Sequence, residues 1–169
     1  MKKRILAATW ILSVAFAILA LSSSALAQAK NVVVGTWKLL SFTSTTDKGE
    51  VKSLMGQKPI GFITYTPDGR MSVVITAETR KPLSVNDRIA APADERAEAF
   101  STVIAYAGRY TFTGDKIVHH VEASWMPNQV GTDLVRSVKL EGDRLTLRTT
   151  PILQGGAQTT TDLVWERLK

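Results

Sequence analysis

Residues 106–122 read YAGRYTFTGDKIVHHVE, and this stretch decides the fold. Two runs that alternate apolar and polar residues flank the pair Gly114-Asp115, a pattern typical of a tight β-hairpin. The turn fixes the register of the two strands. Counted outward from the turn, the predicted pairs are Phe112 with Ile117, Tyr110 with His119 and Gly108 with Val121 on one face, and Arg109 with His120 and Ala107 with Glu122 on the other.

Two more hairpins follow the same logic. Around Gly142-Asp143, the predicted pairs are Leu140 with Leu145, Val138 with Leu147 and Arg136 with Thr149. Around residues 67–69, with the sequence Pro-Asp-Gly, the alternation places five side chains on one inward face: Ile63, Tyr65, Met71, Val73 and Ile75. In each hairpin one face is mainly apolar, so these strands should enclose a common core.

The remaining segments complete an antiparallel meander. Residues 32–46 predict a first strand and residues 159–168 a last one, and residues 78–92 read as a loop. Helical spacing predicts one short helix over residues 93–105. Since a long meander with open edges would aggregate, we expect an all-β, antiparallel up-and-down β-barrel of about eight to ten strands, with the helix inserted between strands.

The first 27 residues predict a secretory signal peptide. Lys2, Lys3 and Arg4 form a basic start, an almost wholly apolar run follows, and Ala25-Leu26-Ala27 matches a cleavage site. The alternative is a membrane anchor, because the apolar run approaches the roughly 20 residues that span a bilayer. We therefore expect residues 28–169 to form the mature domain, periplasmic or secreted, without stable membrane insertion after cleavage.

Composition excludes several function classes. The chain of 169 residues contains no cysteine, which excludes disulfides, thiolate metal sites and cysteine nucleophiles. Its net charge of +6 falls to +3 without the basic start, and the remaining basic residues are scattered, without the clustered basic and aromatic residues of a nucleic-acid-binding surface. The adjacent His119 and His120 point to opposite faces of a strand, so they predict no metal site. No cofactor is expected.

Motifs along residues 35–167 resemble the bacterial and fungal lipocalin-like domain family. They include Gly35-Thr36-Trp37, residues 65–72 (YTPDGRMS), residues 105–110 (AYAGRY), residues 119–122 (HHVE) and residues 165–167 (WER). The resemblance implies a barrel whose first tryptophan, Trp37, plugs one end. Through fold analogy, it also implies the binding of small apolar molecules.

Arg136 is the leading candidate for a ligand contact. It interrupts an otherwise apolar face formed by Leu134, Val138 and Leu140, which the registers place inside the barrel. A guanidinium there must be paired or must meet an acid or carbonyl group of a ligand. The structural alternative is that Arg136 or Arg167 packs over Trp37 in a cation–π contact.

Six further residues are candidate ligand contacts. Tyr65, Tyr110, His119 and Trp125 are predicted on the inner face, with His119 as a neutral hydrogen-bonding group. His120 and Glu122 share the outer face with Arg109, and a carboxylate near an imidazole can orient a general base. A β-bulge between residues 106 and 125 would exchange the two faces.

Three functions remain open at this stage. The first is a binding protein for a small hydrophobic ligand. The second is a barrel enzyme, of isomerase, cyclase or hydratase type, with His/Glu acid–base chemistry. The third is a structural envelope protein with a filled core.

Overall fold

The computed structural model describes residues 32–53, 55–154 and 156–169. The predicted signal peptide, residues 1–27, lies outside the described residues. The elements are β1 (Gly35–Thr46), β2 (Val51–Lys52), β3 (Ile60–Tyr65), β4 (Arg70–Thr76), α1 (Ala93–Ser101), β5 (Val103–Phe112), β6 (Lys116–Ser124), a short 3-10 helix (Pro127–Gln129), β7 (Asp133–Glu141), β8 (Arg144–Thr149), β9 (Ile152–Gln154) and β10 (Ala157–Arg167).

The strands form one closed antiparallel sheet. Its order is β2-β1-β3-β4-β5-β6-β7-β8-β10-β9, and pairing of β1 with β10 closes it. Since β2 and β9 are short flanking strands, eight strands of the described chain make up the barrel. The predicted fold class is thereby confirmed. In the described residues no helix is both long and apolar enough to cross a bilayer.

The hairpin registers are confirmed next to each turn. Tyr110 pairs with His119, Val138 with Leu147, and Ile63 with Val73. The five side chains predicted inward on β3 and β4 are all buried. Thus the tight turns fixed which residues face the barrel interior over most of these strands.

Two β-bulges shift the alternation, and the one on β6 lies within residues 106–125, where the sequence left a bulge open. On β6 the register changes so that Ala107 pairs with Ala123 instead of the predicted Glu122, which is left without a partner in the ladder. On β1 the register with β10 shifts at Leu40, so Phe42 is buried on the same face as Trp37 and Leu39. A bulge inserts one extra residue, which moves every later side chain to the other face.

The helix is shorter than predicted. It ends at Ser101, and residues 103–105 belong to β5, where Val103 pairs with Thr76 and Ile104 with Ile75. Both are β-branched residues that suit a strand, and the available pairing partner on β4 outweighs their helical spacing. No described residue of α1 is buried, so the helix lies on the surface at the end of the barrel opposite to Trp37.

Trp37 closes the other end of the barrel. Its indole is fully buried and donates a hydrogen bond from Nε1 to the Val33 carbonyl at 2.8 Å. The Arg167 guanidinium lies 4.0 Å from the ring centroid and donates to the carbonyls of Val34 and Val32, at 2.6 Å each. Arg167, and not Arg136, is therefore the cation–π partner of Trp37.

The Arg167→Met substitution should lower the free energy of unfolding by about 2–4 kcal/mol, because it removes the cation–π contact and two charge-assisted hydrogen bonds. Urea denaturation measures this loss. Arg144→Met, at an exposed position of β8, is the control and should change stability by less than about 0.5 kcal/mol. Equal losses in the two variants would contradict this role for Arg167.

Candidate functional site

Four polar side chains meet inside the barrel, and we call them the interior polar group: Tyr65, Tyr106, His119 and Arg136. They come from β3, β5, β6 and β7, and strand alternation places each on the inner face. Tyr65 and His119 are each 1% exposed, whereas Tyr106 and Arg136 are half-buried. The group is embedded in aliphatic and aromatic core residues.

His119 lies between two tyrosine hydroxyls. Its Nε2 is 2.8 Å from Tyr65 Oη, and its Nδ1 is 2.9 Å from Tyr106 Oη. A neutral imidazole carries one N–H and one bare nitrogen, so one tyrosine donates to His119 and the other accepts from it. The three side chains have three polar hydrogens for two contacts. Whichever tautomer is present, one tyrosine hydroxyl keeps a hydrogen available for another acceptor.

Arg136 adds a positive charge beside this pair of contacts. One guanidinium nitrogen, Nη1, donates to the Val135 carbonyl at 2.9 Å. Arg136 also forms a side-chain hydrogen bond with Tyr106, but a guanidinium has five N–H donors, so most of its donor capacity remains. No salt bridge joins Arg136 to a carboxylate of the described residues. The interior polar group therefore has surplus donors and an uncompensated positive charge.

Burial determines the protonation state of the group. It lowers the pKa of His119 from 6.5 to about 3, with smaller electrostatic contributions from Arg136 and His120. Burial also raises the pKa of Tyr65 and Tyr106, and Arg136 acts against both rises. At neutral pH the imidazole is thus uncharged and both phenols are protonated.

The depressed pKa of His119 predicts a loss of stability in acid. Between pH 6.5 and pH 3 the unfolded chain binds a proton at this residue that the folded chain does not bind. The free energy of unfolding should therefore fall by up to about 1.4 kcal/mol per pH unit as pH decreases through that window. Urea denaturation at several pH values should show a smaller acid loss for His119→Gln than for the wild type. Ser72→Ala, at an exposed position of β4, removes no titratable group and should keep the wild-type slope. Three parallel slopes would contradict the assignment.

Tyr110 lies on the inner face as predicted, whereas Trp125 does not. The Tyr110 ring packs edge-on against Tyr65 with centroids 4.9 Å apart, and its hydroxyl donates to the Thr66 carbonyl at 3.0 Å. Trp125 does not share the face of His119 as predicted. Because of the bulge at Glu122, Ser124 pairs with Tyr106, and Trp125 follows β6 with its ring 6.4 Å from that of Phe100 in α1.

His120 and Glu122 lie on the outer surface and do not contact each other. His120 Nδ1 is 2.7 Å from Asp133 Oδ1, and its Nε2 is 2.9 Å from Thr111 Oγ1. Glu122 accepts hydrogen bonds from Arg70 and Arg109. Each side chain is thus held by other outer residues, so the structure does not form the predicted His/Glu pair.

Tyr106 is the member of the interior polar group that the sequence interpretation missed. Its signal was present, because residues 106, 108 and 110 share one face of a strand, and Tyr110 was already assigned to the inner face. The contact with His119 depends on side-chain direction and could not be read from spacing alone.

Two surface hollows lie outside the barrel, with volumes of about 420 and 310 Å³. Both include Arg148 and Asp162, which form a bidentate ion pair with both N–O distances at 2.7 Å. These charges satisfy each other, in contrast to the charge of Arg136. Among the described residues, the unpaired positive charge therefore lies inside the barrel, whereas the charges of Arg148 and Asp162 in these hollows are paired.

A sequence profile of the lipocalin-like domain matches residues 34–168. The chain belongs to the lipocalin-like domain family. One relative, the 4'-hydroxy-3'-methoxypropiophenone carrier protein ppsC of Aspergillus oryzae (strain ATCC 42149 / RIB 40), is 33% identical over 84 residues. That match covers 44% of this chain and 76% of the relative.

Two solved structures are similar to the lipocalin-like chain. One is a lipocalin-like protein from Bacteroides uniformis ATCC 8492, with 13% identity, a TM-score of 0.41, and coverage of 80% of this chain and 98% of the other. The second is EF1p2_mFAP2b bound to DFHBI, with 12% identity, a TM-score of 0.41, and coverage of 85% and 99%.

Proposed function

We propose that this protein is a carrier that holds one small, mainly apolar molecule inside its barrel by a carbonyl or carboxylate oxygen. The observation that carries the proposal is Arg136, a half-buried guanidinium on the inner face without a described carboxylate partner. Leaving such a charge unmatched in an apolar environment is unfavourable. A ligand oxygen would accept from Arg136 and from the spare tyrosine hydroxyl beside it.

The walls around the group suit a compact ring compound. They are apolar on β3 and β4, and the inner-face residues Val138, Leu140 and Leu163 remain half-buried rather than closed off. Such partial exposure favours an accessible interior over a filled structural core. The relative from Aspergillus oryzae is named as a carrier of an aryl ketone, whose apolar ring and carbonyl group match these two features.

Binding is favoured over acid–base catalysis. With a pKa of about 3, the His119 imidazole is uncharged at neutral pH, and both of its nitrogens are engaged by tyrosine hydroxyls. His120 and Glu122 do not form a pair and lie on the outer surface. The His/Glu pair of the enzyme alternative is therefore not formed, and the imidazole–carboxylate pair that is present, His120 with Asp133, lies on the outer surface away from the barrel interior.

The function is tested by calorimetric titration with 4'-hydroxy-3'-methoxypropiophenone. We expect saturable binding of one molecule per chain. The matched control ligand is 2-methoxy-4-propylphenol, which has the same ring and a CH₂ group in place of the carbonyl. It should bind about tenfold or more weakly, since it lacks the acceptor for Arg136. If neither compound binds and native mass spectrometry shows the protein without a bound ligand, the proposal is refuted.

We also propose that residues 1–27 direct export to the periplasm or the exterior. The basic start, the apolar run and the small-residue cleavage site support this assignment. Expression of the full chain in a bacterial host, followed by N-terminal sequencing of the periplasmic protein, should give a chain that begins at Gln28. An uncleaved chain in the membrane fraction would support the anchor alternative instead.

A further inference from the structure

The inner wall next to Arg136 is lined by hydroxyl groups. Thr149 of β8 is the direct cross-strand partner of Arg136, Thr161 of β10 lies beside Thr149, and Ser44 of β1 is the partner of Thr161. We call Thr149, Thr161 and Ser44 the hydroxyl band. All three are less than 10% exposed. The band continues the interior polar group across β8, β10 and β1, so Arg136 and Ser44 are three strand spacings apart, about 14 Å.

The hydroxyl band has unused donors. Ser44 Oγ and Thr161 Oγ1 are 2.9 Å apart, so two hydroxyl hydrogens serve one contact and one remains. Thr149 Oγ1 accepts from the Thr161 backbone N–H at 2.9 Å, and its own hydrogen has no acceptor among the described residues. Burying hydroxyls with unmet capacity is unfavourable, and valine has nearly the same shape as threonine. Packing alone therefore does not explain why these buried positions carry hydroxyl side chains.

Trp165 provides an independent observation. This residue is 1% exposed and pairs with the buried residues Leu39 and Leu145 on the inner face of β10. Its indole Nε1 is the buried side-chain nitrogen or oxygen atom that lacks a hydrogen-bond partner within the described residues. Buried polar groups are nearly always bonded. A second unmet donor thus lies on the same strand as Thr161, toward the Trp37 end.

We propose that the hydroxyl band is a second ligand subsite, and that the ligand is acceptor-rich: an aryl ketone or acid that also carries ether or carbonyl oxygens on the side away from Arg136. This rests on the proposed function. The interior offers surplus donors from Arg136, one tyrosine hydroxyl, the hydroxyl band and Trp165, and no carboxylate is buried on the inner face of the described strands. A hydrocarbon chain would leave these donors unmet, whereas ring oxygens would accept from them.

The two ligands that test the subsite differ only in the two ether oxygens of the ring substituents. The compounds are 3',4'-dimethoxypropiophenone and 3',4'-diethylpropiophenone, in which CH₂ replaces each ether oxygen. Both keep the ketone for Arg136. The measured quantity is the ratio of their dissociation constants, obtained by calorimetry.

The variant that tests the subsite replaces both partners of one hydroxyl contact, Ser44→Ala with Thr161→Val. Replacement of both partners keeps the stability cost small. Its control is Thr45→Val with Thr160→Val, the adjacent cross-strand pair, which faces the other side of the same two strands. We expect the first double variant to shift the ratio about tenfold toward the diethyl compound, and the control to leave it unchanged.

Two results separate failure of this proposal from failure of the proposed function. If both ketones bind and the ratio is the same in the wild type and in the Ser44/Thr161 variant, the second subsite is refuted and the carrier function stands. If neither ketone binds to the wild type, the carrier function itself fails, and the subsite with it. Urea denaturation of both double variants checks that they fold.

Discussion

Replacement of Gly108 with alanine is expected to lower the free energy of unfolding by about 3 kcal/mol or more, enough to unfold a marginally stable domain. A Cβ atom at this position would lie 2.0 Å from the His120 carbonyl oxygen and 2.9 Å from the Glu122 amide nitrogen. Both are backbone atoms of the bulged strand β6, which a side-chain rotation cannot move away. The two strands would have to separate where they position Tyr106 and His119.

Gly61→Ala is the matched control for the Gly108 prediction. Its Cβ would approach the Ile75 side chain at 3.0 Å and the Val74 carbonyl oxygen at 3.1 Å, contacts that a small shift relieves. Thermal and urea denaturation should rank Gly61→Ala between the wild type and Gly108→Ala. A Gly108→Ala variant as stable as the wild type would contradict the bulge at Glu122.

The second large effect is on binding. Arg136→Met should weaken the affinity for 4'-hydroxy-3'-methoxypropiophenone by roughly 10- to 150-fold, the range for a lost hydrogen bond to a charged group. The free energy of unfolding of the ligand-free protein should stay the same or rise, because methionine removes a half-buried charge that has no described counter-ion. Calorimetry and urea denaturation measure the two quantities on the same samples.

Arg109→Met is the control for the charge of Arg136. Arg109 lies on the outer surface with Glu122, so its replacement should leave the affinity within about twofold. Equal affinity losses in the two variants would show that net charge, and not the position of Arg136, governs binding. A destabilised Arg136→Met protein would instead indicate a structural role.

The sequence predicted the registers wherever a tight turn lies next to alternating residues. Two-residue turns such as Gly142-Asp143 leave the paired strands little freedom, so the partners of Leu140 and Val138 could be counted directly. The inner position of Arg136 followed from the same counting. These predictions needed only local chemistry and the period of a strand.

The bulges were the main source of error. An extra residue in a strand has no dedicated sequence signal, and neither Leu40 nor Glu122 is a glycine that would mark one. Beyond each bulge the counting is off by one residue, which explains why Ala107 pairs with Ala123 instead of Glu122 and why Trp125 is not on the predicted face. Only the partner strand decides where the ladder is interrupted.

The side-chain contacts of the candidate site could not be predicted from the sequence, for a different reason. Tyr65, Tyr106 and His119 come from three strands, and their hydroxyl and imidazole groups meet through barrel closure and strand tilt. The neighbours of His120 follow from the same geometry, which pairs it with Asp133 and Thr111. Spacing along one strand predicts the face of a residue, not its partner across the barrel.

The most direct test of a ligand inside the barrel is an isotope-filtered NOE experiment on the protein saturated with 4'-hydroxy-3'-methoxypropiophenone. We predict NOEs from the ligand to the ring protons of Tyr106 and to the methyl groups of Val138, both on the inner face. NOEs confined to Thr45 and Thr160, which line the outer hollow beside Arg148, would place the ligand outside the barrel and contradict the account.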